Sequence, residues 1–357
     1  MGRSPAGWLA RRDRLPTSAR AVFGYYAKSG VFDYRSLRLK RRVDGEVEAM
    51  LADVFGDIEE ALAAEFGLEY VDFSYETKLL LPAKLALGYL YRRLPADEHA
   101  RAESLTRLAI IALLDGDMRD ARNDAEFEDF EVDFVVDEAD RRRVAKVAQE
   151  LMETYVQAGL VDVPDSARET YEWAVTRSER HQERDERYRE LMDAARAGEE
   201  GALETIRSEY KFAPLDEPRA PFTDDEGDLP YLASQYYRVG IIYDGMLDMY
   251  RDVGFPIDES FQRAIVLAIV GAQIWLDDIE DYHLDMRAGQ LTPVTAEYLL
   301  AADEQAARAA VVDLSHRYLD LARTAATAAD SPLTGIAVEY IRHEGRPDRL
   351  PGDTRPT

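Results

Sequence analysis

Four aspartates directly follow an apolar segment in the last third of the chain. The segment is 264–276, and the aspartates are Asp277, Asp278, Asp281 and Asp285. In a helix, Asp277, Asp281 and Asp285 share one face because they are four residues apart, and Asp278 lies one step around it. Carboxylates at this spacing repel one another, whereas Mg²⁺ binds carboxylate oxygens and completes its shell with water and phosphate oxygens. The run therefore predicts a magnesium site.

A second acidic cluster also ends an apolar helical stretch. Residues 108–114 lead into Asp115, Asp117 and Asp120, and the last two lie three apart on one helical face. We predict that Asp117 and Asp120 face the first cluster across a cavity with apolar walls, so that both clusters hold metal at its rim. The alternative is that these aspartates are solvated surface residues.

Other polar residues are candidates for the same pocket. Gln273 orients a ligating carboxylate or a metal-bound water, or it satisfies a neighbouring backbone group. Asp244 and Asp248, four apart on one predicted helix, line the pocket or form a solvated face. Arg238 on that helix is a candidate for holding a phosphate group.

The composition restricts the partners and the kinds of site. The formal net charge is −26, and only 6 of the 44 basic residues are Lys. An excess of Asp and Glu with Arg in place of Lys is typical of a salt-adapted (halophilic) cytoplasmic protein, because high salt screens the self-repulsion. So negative a surface repels phosphate backbones, which argues against nucleic acid as a partner.

Cysteine and histidine usage restricts the metal chemistry. The chain has no Cys and five scattered His residues, which excludes Cys-ligated metal and disfavours a site built from His. No apolar run reaches about 18 residues, and there is no signal-peptide core, so we expect a soluble intracellular protein.

From residue 45 onward, apolar residues recur with helical spacing almost throughout. The pattern predicts helices near 46–66, 76–94, 100–122, 138–159, 166–196, 229–252, 258–286, 303–328 and 331–343. No strand pattern is convincing, and 123–137 and 212–229 are predicted loops. The helix over 166–196 is so rich in charge that we expect it to be solvent-exposed. We predict an all-α fold, a single-domain helical bundle over 46–343 with a central cavity.

The two ends of the chain differ from this body. Residues 1–45 form a basic N-terminal arm that also carries apolar residues. Two interpretations of the arm stay open: it folds over the acidic body, or it is attracted to anionic lipid headgroups or a diphosphate, which would give a peripheral membrane contact. Residues 344–357 are rich in Pro, Gly and charge, and we predict a disordered tail.

Residues 273–294 resemble the second aspartate-rich region of trans-polyprenyl diphosphate synthases and, more broadly, of class I isoprenoid synthases. That region reads Phe-Gln-x-x-Asp-Asp-x-x-Asp and, after a variable gap, Asp-x-x-x-Gly-Lys-x-Thr-x-Pro. This chain has Gln273, Asp277, Asp278, Asp281, Asp285, Gly289, Gln290, Thr292 and Pro293. Residues 113–120 are similar to the first region, usually Leu-Leu-His-Asp-Asp-x-x-Asp, with Gly116 in place of its leading Asp. Lys78, four before Pro82, is similar to an upstream Gly-Lys-x-x-Arg-Pro element.

The resemblance implies an isoprenoid-synthase fold, Mg²⁺ as cofactor and a prenyl diphosphate as substrate. The metal ligands it implies are Asp277, Asp278, Asp281, Asp117 and Asp120. With the pocket candidates above, the substrate contacts are Gln273, Asp285, Arg238, Lys78, Arg122, Asp244 and Asp248. Related synthases commonly form homodimers, so the resemblance makes a homodimer one candidate assembly, although the sequence does not determine the oligomeric state.

Three departures from the family pattern weaken the cationic site that would bind a second diphosphate. Leu81 replaces the Arg before the proline, only Arg122 lies near an Arg-Arg-Gly element, and Gln290 replaces a Lys. This pattern favours a one-substrate reaction (cyclisation, elimination or hydrolysis), a remodelled prenyltransferase or an inactive member.

Three hypotheses about function therefore stand. The first is a Mg²⁺-dependent enzyme of isoprenoid biosynthesis, a transferase or cyclase acting on a prenyl diphosphate. The second is a non-catalytic helical member of the fold that binds a prenyl lipid or a protein partner. The third is an unrelated salt-adapted helical bundle whose acidic clusters serve only solvation.

Overall fold

The computed structural model describes residues 15–30, 34–75, 78–124, 127, 130–134, 137–182 and 184–352. Helices account for most of these residues, so the predicted all-α class is confirmed. The chain divides into two compact units. The larger unit comprises 1–33, 170–248 and 257–357, and the smaller unit comprises 34–169 and 249–256.

The smaller unit is built from long helices and one short strand pair. Helix α1, Thr17–Ser29, precedes it in the chain and belongs to the larger unit. The elements of the smaller unit are α2 Tyr34–Phe66, β1 Phe73–Tyr75, α3 Leu81–Tyr91, α4 His99–Asp124, β2 Phe130–Val132 and α5 Glu138–Val161. Helix α4 packs along α5, and α2 packs against α3 and α5. The predicted boundary at residue 45 falls inside α2, because the helical pattern extends back through the basic segment to Tyr34.

The strand pair departs from the all-helical prediction. Strands β1 and β2 are antiparallel, with Phe73 opposite Val132. The rings of Phe73 and Phe130 stack with their centroids 6.1 Å apart, which helps to bury the pair. Three residues per strand are too few for an alternating sequence pattern to be recognised, and β2 lies in the stretch predicted as a loop.

The remaining elements lie wholly or mostly in the larger unit. They are α6 Asp165–Gln182, α7 Asp185–Arg196, α8 Ala202–Thr205, α9 Leu232–Gln235, α10 Ile241–Asp252, α11 Glu259–Ala272, α12 Asp278–Glu280, α13 Tyr282–Ala288, α14 Pro293–Leu300, α15 Glu304–Ala328 and α16 Pro332–Glu344. π-Helical turns connect several of them, at Ile206–Lys211, Tyr236–Gly240 and Gln273–Asp277.

The core of the larger unit forms around the pairing of α11 with α15. Helix α11 is buried on almost all sides, as its nearly continuous apolar sequence predicts. Gly271 allows close approach, since a Cβ there would lie 3.1 Å from atoms of Tyr318 and Leu319. Within the described ranges, no helix is both apolar enough and long enough to cross a membrane.

Several predicted helices are interrupted. The helices predicted over 229–252 and 258–286 each contain a π-helical turn, and the second one also breaks at Asp281. The helix predicted over 166–196 is two helices, α6 and α7. Its predicted exposure is wrong for one face, because His181, Tyr188 and Met192 are buried. The stretch is so rich in charged residues that its few inward-packing positions did not show as a buried face in the sequence pattern.

Parts of both predicted terminal segments pack onto the larger unit. In α1, Lys28 forms an ion pair with the buried Glu339 of α16 at 2.7 Å. Near the other end, Leu350 is buried in the core, and the Tyr298 hydroxyl donates to the Pro351 carbonyl at 2.8 Å. The tail predicted as disordered therefore packs as far as residue 352, because Leu350 supplies an apolar anchor. Residues 1–14 and 353–357 lie outside the described residues.

Candidate functional site

Two π-helical turns of the larger unit place the candidate site residues. Gln273 begins one turn, Gln273–Asp277, and Asp278 follows it directly. Arg238 lies in the other turn, Tyr236–Gly240, which packs against α11. A π-helical turn adds one residue to the helical repeat and is frequently found at functional sites. Here the two turns bring an arginine and an aspartate together across 40 residues of sequence.

Asp278 is the centre of this group. Its side chain is only 2% exposed, and its Oδ1 lies 3.2 Å from Nη1 of Arg238. The Gln273 amide donates to the same oxygen at 3.4 Å, so its contact is with a carboxylate. The other oxygen, Oδ2, is buried and has no hydrogen-bond partner among the described residues. One oxygen of this carboxylate therefore lacks the partner that a buried acceptor normally has.

The electrostatics couple Asp278 to its neighbours. Burial raises the pKa of Asp278, Arg238 lowers it, and Asp281 raises it further. The pKa of Asp285 is raised to about 7, first by burial and then by the carboxylate of Asp278, against the lowering effect of Arg238. We call Asp278, Asp281, Asp285 and Arg238 the carboxylate cluster. A proton or a divalent cation would relieve the repulsion within it.

The aspartates do not share one face as predicted. Asp278 and Asp285 are buried, whereas Asp277 and Asp281 are exposed. The π-helical turn and the break at Asp281, whose ψ is near 0°, shift the helical register between them. The prediction assumed a regular helix, in which residues four apart stay aligned.

The carboxylate cluster fits a magnesium ion in part. Its donors are carboxylate oxygens, and Oδ2 of Asp278 is a buried acceptor without a partner among the described residues. No group of three or more Asp, Glu, His or Cys side chains within the described residues is arranged to hold a metal by itself. Mg²⁺ is usually bound through one or two carboxylates together with waters and substrate phosphates, so a complete protein cage is not required.

Asp244 and Asp248 belong to a separate buried network. The Tyr236 hydroxyl donates to Asp244 at 2.6 Å. The Gln262 amide nitrogen donates to Asp244 at 2.6 Å and to Asp248 at 3.0 Å. Asp244 is fully buried, so the alternative of a solvated face is wrong for this residue. These hydrogen bonds hold α10 to α11.

The first acidic region lies in the smaller unit. Asp117, which is partly buried, accepts a short hydrogen bond from the Tyr75 hydroxyl, and Asp120 is exposed on the same helix. Arg122 donates a short hydrogen bond to Gln149. Lys78 starts a 3₁₀ turn, Lys78–Leu80, and its side chain lies outside the described part of the chain. The cavity predicted between the two acidic regions remains a prediction.

The buried carboxylate of this region is Asp115, which was not among the predicted ligands. It accepts hydrogen bonds from Arg119 at 2.8 Å and from Gln149 at 2.9 Å. Burial raises its pKa, and those two partners lower it. The available signal was its position directly after the apolar run 108–114, which places it further into the helix than Asp117.

His181 is the second residue that the sequence analysis missed. It is 6% exposed, and its ring stacks on that of Tyr237 with centroids 6.2 Å apart. Burial, followed by Arg184 and Arg238, lowers its pKa to about 4, so the imidazole is neutral at pH 7. The sequence around His181 is highly charged, so it did not indicate that this imidazole is buried.

Comparison with protein-family models, with curated proteins and with solved structures finds no match for this chain.

Proposed function

We propose that this chain is a Mg²⁺-dependent protein of the class I isoprenoid synthase type that acts on a prenyl diphosphate. The observation that carries the proposal is the buried carboxylate of Asp278, which has one oxygen without a partner beside Asp281 and Asp285. The same residues form the stretch that resembles the second aspartate-rich region of that superfamily. Reactions of one substrate, such as cyclisation or elimination, are favoured because Gln290 replaces a cationic residue.

Each residue of the proposed site would have its own role. Asp278, with Asp277 and Asp281, would hold the metal, and bound magnesium would supply the positive charge that neutralises a diphosphate leaving group. Gln273 holds Oδ1 of Asp278 in place through its amide. Arg238 neutralises the same carboxylate and is close enough to exchange that contact for a phosphate oxygen.

The direct test is release of pyrophosphate from allylic diphosphates of different chain length at high KCl, with and without Mg²⁺. We expect release only with Mg²⁺, and a loss of about 100-fold or more in Asp278→Asn, since electrostatic stabilisation of the leaving group is the main catalytic effect. Glu280→Gln is the matched control. It removes one negative charge from the same short helix, but its side chain pairs with Arg349 rather than with the carboxylate cluster. Equal activity in both variants would contradict the proposal.

A second candidate function is favoured by the ion pair between Arg238 and Asp278. That pair neutralises the carboxylate without any metal, which suits a non-catalytic protein that binds a prenyl lipid. In that case, pyrophosphate is not released from any substrate, whereas the chain still binds a prenyl alcohol. Measuring prenyl alcohol binding by tryptophan fluorescence alongside the release assay separates the two candidates, because the first requires turnover and the second does not.

A further inference from the structure

A small pocket lies in the larger unit beside the carboxylate cluster. Its walls include His181 from the end of α6, Tyr188 and Arg189 from α7, Tyr210, Arg238 and Gln290. The cavity volume is about 40 Å³. At about 10–15 Å³ per water on this measure, the pocket has room for about three waters or a ligand of similar size, and it is too small for a prenyl chain.

The charge of this pocket is opposite to that of the protein. Both charged side chains that line it, Arg189 and Arg238, are arginines, although the net charge of the chain is −26. Arg184 and Arg238 are also the charged groups that act on His181. An exposed arginine on so acidic a surface normally faces a carboxylate, as Arg187 on the same helix faces Glu209. Arg189 instead borders the pocket.

His181 adds a buried polar side chain to the lining of this pocket. Its Nδ1 has no hydrogen-bond partner within the described part of the chain. Buried polar atoms in native proteins nearly always have a protein or solvent partner. The ring stacks on Tyr237 with centroids 6.2 Å apart and also lines the pocket, so it is placed to supply a donor to a ligand bound there.

We propose that this pocket binds a small tetrahedral oxyanion of the phosphate or sulfate class. Arg189 and Arg238 supply the positive charge, and the imidazole N–H of His181 and the amide of Gln290 supply neutral donors. The volume of about 40 Å³ suits an anion of this size. The site does not depend on the proposed magnesium chemistry, because its donors are complete without a metal.

Arg238 links this pocket to the carboxylate cluster. It lies 3.2 Å from Asp278 and also lines the pocket, so the carboxylate and the anion compete for one guanidinium. Removing the charge of Asp278 should therefore strengthen anion binding, whereas removing the charge of Arg189 should weaken it. Because the two variants should change the anion affinity in opposite directions, together they test the proposed competition directly.

The experiment titrates inorganic phosphate into the full chain at constant KCl and without Mg²⁺, followed by ³¹P NMR. We expect saturable binding that is about tenfold weaker in Arg189→Gln, because a charge-assisted hydrogen bond is lost. Asp278→Asn should bind phosphate severalfold more tightly. Arg187→Gln is the matched control: it removes the same charge from the same helix outside the pocket and should change the affinity less than twofold. Glycerol 1-phosphate should bind more weakly than inorganic phosphate.

A second readout is the pair of imidazole ¹⁵N resonances of His181, which should shift as phosphate saturates the site. Binding that is absent at millimolar phosphate would mean that the pocket holds only water and would overturn the proposal. Equal weakening in Arg189→Gln and Arg187→Gln would also overturn it, because the effect would then come from overall charge. If phosphate binds as expected but no pyrophosphate is released from any allylic diphosphate, the proposed function is refuted and the proposed anion site is not.

Discussion

Asp278 combines two features that seldom occur together in a stable core. It is a buried carboxylate with 2% exposure, and one of its oxygens has no partner in the described chain. An incompletely paired buried charge costs several kcal/mol, so such a residue persists only where something else favours it. The partial pairing with Arg238 and Gln273 reduces this cost without removing it. A ligand at the free oxygen is the simplest physical reason for this arrangement.

Asp285 yields a prediction about stability and pH. Its pKa rises from 3.8 to about 7 on folding, so the folded state binds a proton more tightly than the unfolded state. This contribution to stability is fully present below a pH of about 4 and is lost as the pH rises through about 7. Asp285→Asn stays neutral, so it should raise the free energy of unfolding at a pH of about 8 by about 1–2 kcal/mol, after allowing for partial screening, and hardly change it at a pH of about 4.

Urea denaturation across this pH range measures the effect. Asp313→Asn, at an exposed aspartate of α15, is the matched control and should show no such dependence. If the two variants follow the same pH profile, Asp285 does not carry the raised pKa. Added Mg²⁺ should narrow the gap between Asp285→Asn and the wild type at high pH, if the carboxylate cluster binds the ion.

At the scale of elements, the π-helical turns determine which side chains meet. A regular α-helix through 258–286 would keep Asp277, Asp281 and Asp285 on one face. The turn Gln273–Asp277 buries Asp278 instead and leaves Asp277 exposed. The turn Tyr236–Gly240 places Arg238 opposite. Each turn sacrifices regular hydrogen bonding, a local cost that is common where a helix carries a functional group.

The contact between α1 and α16 gives a prediction at this scale. Gly335 lies against the ring of Tyr25, and a Cβ there would be 2.2 Å from Cε2 of the tyrosine. Gly335→Ala should therefore lower the free energy of unfolding by about 1–3 kcal/mol, because the helices must move apart. The measurement is the midpoint of thermal unfolding.

Gly45→Ala is the matched control for that substitution. Gly45 lies inside α2, where a Cβ would meet nothing within 4 Å. Alanine there should raise stability by about 0.5–1 kcal/mol, because glycine is the weaker helix former. A neutral or stabilising Gly335→Ala would show that α1 does not pack on α16 as described.

The charge of the whole molecule predicts a strong dependence on salt. The net charge is −26, and screening at about 1 M salt shortens the Debye length to about 3 Å, which removes most of the self-repulsion of the folded chain. The unfolding midpoint should therefore rise markedly between dilute buffer and about 1 M KCl. The rise should be steepest between about 0.01 M and 0.1 M KCl, where the Debye length falls from about 30 Å to about 10 Å. A midpoint that does not rise over that range would refute the electrostatic explanation.

Hydrophobic periodicity was enough to predict most of the helices. The helices predicted over 303–328 and 331–343 are confirmed as Glu304–Ala328 and Pro332–Glu344. The helix Ala202–Thr205 and the π-helical turn after it were missed, since their short sequence is polar. The site was predictable where neighbours in sequence are also neighbours in space. Gln273 and Asp278 were found in this way, and the pairing of Asp278 with Arg238 was not.

Sequence alone determined the helical class, the acidic character and the positions where apolar helices end in carboxylates, because these depend on local periodicity and composition. Only the tertiary structure decided which carboxylates are buried. Asp278 and Asp285 are buried and Asp277 and Asp281 are exposed because the π-helical turn adds a residue to the repeat before Asp278 and the helix then breaks at Asp281, so residues four apart no longer share a face. Likewise, Glu297 is buried in the apolar helix α14, where it pairs with Lys211 at 2.6 Å. Such partners come from distant parts of the chain, and their meeting depends on packing that no local pattern encodes.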